Sequence, residues 1–185
     1  MPAKFAELQA TLDIYAPDIL AIAETHHIEE PPEINGYTFY GRVTDSTHKS
    51  GTGILLKQST CDIQSCNLTH SDPGINSRIV AVIYNNTFII EAYAPCEGKP
   101  TDDFYQYLHA HMCEAITRRK PVIVVGDFNG HIEGWSSSNS NKNGKALIQF
   151  ANHWNLQILP NERTTFTGRH GEETCIDYVL IPRGN

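Results

Sequence analysis

The chain has 185 residues, 40% hydrophobic and 19% charged, which suffices for one folded domain with a core and excludes a disordered tail. Its formal net charge of −7 is the wrong sign for a generic nucleic-acid coat, yet it leaves room for an enzyme whose acids hold a divalent cation that attracts phosphate. The densest apolar run, Val122-Ile123-Val124-Val125, is far too short to cross a bilayer, and the first residues lack a signal-peptide run, so the expected location is intracellular, nuclear or cytoplasmic, with no membrane partner.

In chain order, Phe5, Leu8, Leu12 and Tyr15 recur at helical spacing and predict an amphipathic helix over 4–15, stopped by Pro17. Asp18 to Ala23 reads as a buried strand that delivers Glu24 at its end. Further strands are expected at 37–43, 51–57, 78–84 and 87–93, a helix at 102–117, and a buried strand at 121–126. Residues 136–144 read as a polar loop opening a helix at about 145–154, with Leu147, Ile148 and Ala151 inward. Short strands at 156–159, 163–167 and 175–181 complete the pattern. Helices interspersed with hairpin-like strand pairs suggest two sheets face to face with helices outside, an α/β or α+β arrangement.

Several polar groups sit where a buried strand ends, the place where α/β enzymes gather catalytic groups. In Gly126-Asp127-Phe128-Asn129, alternation turns Asp127 and Asn129 one way and Phe128 back into the core. A carboxylate beside a neutral amide suits phosphodiester hydrolysis: one orients or deprotonates a water, the other holds a phosphate oxygen. A polar turn after a core strand reads equally well. Glu24 is either a surface acid or one of the one or two carboxylates that Mg²⁺ requires. Asp177, between Ile176 and Tyr178-Val179-Leu180, must face solvent, a partner or a cavity. Tyr93 either packs or donates to a phosphate oxygen. Arg78, heading the strand before it, and Thr165 are candidates for substrate contact.

His26, His27, His131 and His170 lie in expected loops near these strand ends, none with metal-ligand spacing. Basic residues cluster locally at Arg118-Arg119-Lys120, at Lys142 with Lys145, and at Arg163 with Arg169; these are solvated charges or loop contacts to a phosphate backbone. Five cysteines without repeated spacing read as reduced thiols; Cys61 and Cys66 would make half a zinc site with no second pair.

In order, Asp18 to Thr25, Ser50 to Leu56, Tyr93-Ala94-Pro95, Val125 to Asn129, Thr165-Phe166 and Ile176-Asp177-Tyr178 resemble the endonuclease/exonuclease/phosphatase superfamily over nearly the whole chain. Within it the chain looks most like the apurinic-type endonuclease domains of non-LTR retrotransposons, from the Gly51 strand and from Leu147–Leu159 leading into Thr164-Thr165-Phe166-Thr167. The resemblance implies an α+β four-layer sandwich of two mostly antiparallel sheets, acting as a DNA-nicking phosphodiesterase. It implies Mg²⁺ or Mn²⁺ at Glu24, Tyr93 on the scissile phosphate, Asp127 on the attacking water, Asn129 on a phosphate oxygen, and Asp177 supporting a catalytic histidine. It leaves room for a reverse transcriptase in the parent protein and implies no stable protein partner.

The family's opening strand, which ends in a metal-site asparagine, and its closing Ser-Asp-His segment find no match here. The expectation is therefore a single domain over 1–185, truncated at both ends. The alternatives are an impaired fragment acting as a binding module, and a phosphoinositide or other phosphoester phosphatase. The last is disfavoured because Thr174-Cys175-Ile176-Asp177-Tyr178 stands where inositol-polyphosphate phosphatases carry Trp-Cys-Asp-Arg.

Overall fold

The computed structural model describes residues 2–25, 33–42, 50–58, 62–66, 68–96, 98–99, 101–135, 139–159, 164–167, 171 and 173–184, with side chains from residue 6 onward. His26, His27, His170, Cys61, Arg163 and Arg169 lie outside the described residues.

The chain opens with α1 (Pro2–Tyr15), which ends where Ala16 takes a positive φ of 42° ahead of Pro17. Leu12 is buried and Leu8 half-buried against the strands below. Tyr15 is 76% exposed, which corrects the expected inward stripe: the turn at Ala16 leaves the last helical residues beyond the sheet. Strands β1 (Ile19–Ala23), β2 (Tyr37–Gly41) and β3 (Thr52–Lys57) form an antiparallel sheet in the order β1-β3-β2. Ala23 lies opposite Thr52, and Tyr37 opposite Lys57.

The larger sheet is built from β4 (Ile63–Ser65), β5 (Ile79–Tyr84), β6 (Thr87–Ala92), β7 (Val122–Asp127), β8 (Leu156–Leu159) and β11 (Asp177–Pro182). Its order is β4-β5-β6-β7-β11-β8. Among the described residues only β6 and β7 pair in parallel, and such a pair needs a crossover, here α3 (Asp102–Thr117). The hairpin of β9 (Phe166–Thr167) and β10 (Glu173–Thr174) stands apart, and α2 (Pro73–Asn76) precedes β5.

Alternation along each strand sorts the core into layers. Ile54 and Leu56 of β3 meet Val80, Val82 and Ile89 between the sheets. The opposite face of the large sheet, with Ile79, Phe88, Ile90 and Val124, is covered by α3 and by α4 (Lys142–His153) through Phe104, Leu108, Met112, Leu147 and Phe150. Helix, sheet, sheet, helix is the expected α+β sandwich.

Helix α4 starts three residues earlier than its apolar spacing suggests, because Asn141 caps it by accepting from the Gly144 N–H at 2.8 Å. Of the strand expected at 163–167, only Phe166–Thr167 is paired within the described residues.

Strand β1 has no partner on its outer side among the described residues. There a cavity of about 400 Å³ opens, lined by Ala21 and Ala23 of β1 and by Val125, Val179, Leu159 and Glu91 of the large sheet.

Candidate active site

Side chains from five strand ends converge at one edge of the sandwich. β1 runs into Glu24, whose φ of 54° turns the chain so that the carboxylate stands exposed at the mouth of the inter-sheet cleft. Tyr93, just beyond β6 on the large sheet, is 3% exposed, and its hydroxyl donates to Glu24 Oε1 at 2.6 Å. This bond ties the two sheets together at the site. Burial raises the Tyr93 phenol, and Glu24 adds to the shift, so the hydroxyl keeps its proton and remains a donor.

Arg78 lies against the other side of Tyr93. Its Nη1 donates to the Tyr93 carbonyl at 3.2 Å, and its guanidinium carbon sits 4.9 Å from the ring centroid, a cation–π contact. Arg78 thus holds Tyr93 in place, and in this arrangement its contacts are with the tyrosine.

β7 ends in Gly126 and Asp127. Gly126 has φ 150°, and a Cβ there would lie 2.0 Å from the Ala92 carbonyl oxygen, so only glycine lets β6 and β7 approach this closely. Asp127 Oδ1 accepts the Asn129 N–H at 2.8 Å, closing a turn in which Asn129 takes φ 46°. The Asn129 amide donates to the Ala94 carbonyl at 2.9 Å. Sequence reading missed what fixes this loop. Asn143, buried in α4, donates to Pro95 O at 2.8 Å and Phe128 O at 3.3 Å, while Asn141 donates to Asn129 O at 3.0 Å. Two asparagines opening a helix beside a polar loop were the available signal.

Asp177 opens β11 directly opposite Asp127. Burial raises Asp127 to about 7, with Asp177 and Glu24 adding to the shift and the Asn129 N–H opposing it. Asp177 is also raised by burial, opposed by its hydrogen bond with Thr165. Thr165 turns its hydroxyl inward, accepting from the Ile176 and Asp177 N–H groups at 3.0 and 3.3 Å. The His131 backbone is bonded to Asn141 on both sides, its N–H donating to Oδ1 at 2.9 Å and its carbonyl accepting the Asn141 N–H at 3.2 Å.

Glu91 is the residue that strand-end reasoning passed over, although an acid inside Phe88-Ile89-Ile90-Glu91-Ala92 was itself a signal. It is 0% exposed, and neither carboxylate oxygen has a hydrogen-bond partner. Burial pushes it well above the ordinary carboxylate range; the nearby Thr52 hydroxyl opposes the shift without making a bond of good geometry.

Among the described residues no group of three or more His, Cys, Asp or Glu could by itself hold a metal ion. Mg²⁺ needs only one or two carboxylates and keeps several waters. Glu24 offers exposed hard oxygen, and behind it the Asp177 carboxylate adds to the raised proton affinity of Asp127, a crowding that a cation would relieve. The donor set fits a hard divalent cation.

Two sheets packed face to face under helices, with carboxylates, a tyrosine and an asparagine at one edge, make an α+β hydrolase sandwich. The chain belongs to the Endonuclease/Exonuclease/phosphatase family, whose model matches residues 1–184. It is a phosphodiesterase-type member by that family. No curated protein sequence matches the chain. Solved structures share the fold at low identity. The endonuclease domain of TRAS1, a telomere-specific non-LTR retrotransposon, superposes with a TM-score of 0.70 at 19% identity, covering 97% of this chain and 79% of that one. The 3′-5′ exonuclease NExo from Neisseria meningitidis gives 0.74 at 16% identity, with coverage of 97% and 82%. An AP endonuclease from Archaeoglobus fulgidus gives 0.70 at 18%, with coverage of 95% and 80%. Among the described residues no helix is long and apolar enough to cross a membrane.

Proposed function

We propose that this chain is the nicking DNA endonuclease of a retrotransposon-type protein, a divalent-metal-dependent phosphodiesterase. The observation that carries the reading is the 2.6 Å hydrogen bond from Tyr93 to Glu24 at the edge where Asp127 and Asp177 face each other. Asp127, with a proton affinity near neutrality, takes the proton of the attacking water. With Glu24 engaged by a cation, Tyr93 would turn its single hydroxyl proton from Glu24 to a non-bridging phosphate oxygen, and Asn129 would hold a second. Glu24 would hold Mg²⁺ or Mn²⁺, whose charge offsets the negative charge that develops on the phosphate and leaving oxygen. Asp177 orients its neighbours through the Thr165 turn. DNA enters as the substrate because NExo is seen with a product DNA hairpin and TRAS1 is a retrotransposon endonuclease.

A specific observation favours a second reading, in which the domain is impaired as an enzyme and serves for binding. Among the described residues the outer edge of β1 is unpaired, and Glu91 lies without a hydrogen-bond partner in the cavity beside it.

Plasmid nicking in Mg²⁺ tests both. The 185-residue protein is expected to nick weakly or not at all, since among the described residues no histidine hydrogen-bonds Asp127 or Asp177, and each catalytic group not engaged removes on the order of 10² to 10³ in rate. A protein extended with the family's first and last strands is expected to nick clearly, and Asp127→Ala to abolish that activity. An extended protein that stays inert, or that keeps full activity with Asp127→Ala, ends the nuclease reading. Strong EDTA-sensitive nicking by the short chain, lost in His131→Ala, would give a local histidine the phosphate role instead.

A further inference from the structure

A groove of about 480 Å³ separates α3 from α4 on the outer side of the large sheet. From α4, Lys142, Lys145, Gln149 and His153 line it at helical spacing; from α3 come Asp102 and His109. In a chain of net charge −7, the groove gathers two lysines and two histidines against one acid. Lys142 and Lys145 are exposed and make no ion pair among the described residues. His109 Nδ1 accepts from Trp154 Nε1 at 2.7 Å, so the neutral ring carries its own proton on Nε2 and presents a donor there. The His153 ring lies 5.1 Å from it.

The placement of the lysines is unfavourable for the fold alone. Both fall in the opening turns of a helix with no acidic residue in its first turn, where the helix dipole favours negative charge. An anion in the groove reverses that balance. The groove also begins at the active-site loops. Lys142 sits between Asn141, which bonds Asn129, and Asn143, which bonds Pro95 and Phe128. Thr101, at the start of α3, lines the same groove, six residues beyond Pro95.

We propose that this groove is a subsite for the phosphodiester backbone of DNA flanking the cleaved phosphate, with Lys142 and Lys145 each neutralising one phosphate. Side chains three apart on a helix start roughly 5–6 Å from each other, so their long stems reach successive phosphates of one strand. The inference rests on the nuclease reading for the identity of its ligand and adds the path by which the substrate strand leaves the site.

The test is the salt dependence of binding to a fluorescein-labelled 20-base-pair duplex, measured by anisotropy in EDTA between 50 and 200 mM KCl. Each lost phosphate contact lowers the slope of log affinity against log salt by about 0.9, so Lys142→Ala/Lys145→Ala is expected to reduce it by about 1.8 and weaken binding about tenfold. Lys142→Gln/Lys145→Gln should behave alike. Lys120→Ala, whose amine bonds Asn86, should leave slope and affinity unchanged. Both double variants are expected to melt no lower than wild type, which separates lost contacts from lost fold. A double variant with the wild-type slope overturns the groove and leaves the nuclease reading standing. A wild type that does not bind the duplex overturns both. Binding with the altered slope, alongside an extended protein that fails to nick, supports the groove and removes the nuclease.

Discussion

Asp127 and Asp177 stand opposite each other across β7 and β11, a like-charged pair that a sheet tolerates only with help. Thr165 and the Asn129 N–H supply part of it. With Glu24 as the metal ligand, Mg²⁺ or Mn²⁺ should raise the melting temperature, since a ligand of the native state stabilises by mass action. Glu24→Gln should lose most of that gain in a thermal scan, and an equal response in both proteins would remove Glu24 from the metal site. Glu91 presents the opposite case, an acid buried without a partner. Its folded-state proton affinity is raised, so its contribution is most favourable below the unfolded value and is lost as pH climbs above it. Glu91→Met should therefore stabilise the 185-residue chain at pH 7 by about 1–3 kcal/mol, with a smaller gain at pH 4. Urea midpoints at the two pH values check this; a destabilised variant at pH 7 would mean that the carboxylate has a partner in solution.

Among the elements, β6 and β7 set the geometry of the site. Gly126→Ala would drive a Cβ into the Ala92 carbonyl, and the strands must part to admit it. The expected cost is about 1–3 kcal/mol or more in a urea melt, together with a displaced Asp127. Most of this framework was legible in the sequence. The strand expected at 78–84 is β5, buried along its length, whereas the strand expected to be fully buried at 121–126 is β7, whose Ile123 and Val125 are only half-buried because that face looks into the cleft. The strand ends named Glu24, Tyr93, Asp127, Asn129 and Asp177, and the fold brings their strands to one edge. What remained hidden depends on tertiary context. The two-residue pairing of β9 with β10 is too short for any periodicity to reveal. Helix α2 is a single turn signalled only by Asp72 before Pro73. Helix α4 starts at its cap, and apolar spacing reports only the packed turns. Glu91 follows the alternation of a core strand, and only the face it shares with Ile89 and Val125 shows that it looks into the cleft.

At the scale of the whole molecule, the acid response should be dominated by His111. It is 0% exposed on α3, 4.8 Å from the Tyr107 ring, with neither ring nitrogen hydrogen-bonded. Burial and then Arg42 lower it to about 4, so its contribution is present above the unfolded value near 6.5 and is lost as pH falls through 4. Wild type should lose about 3 kcal/mol more than His111→Leu between pH 7 and pH 4. Matching losses would show that the imidazole is solvated. The Tyr93–Glu24 bond carries a last consequence. Glu24 belongs to a sheet made from residues 19–57, and its companions to one made from 63–182. The site is therefore a joint between two separately woven fabrics, and its lifetime is that of their seam. Partial openings of a protein span a wide range of free energies. Any that unzips this seam switches off the chemistry while every helix and strand survives, so function should fade under mild stress before secondary structure does.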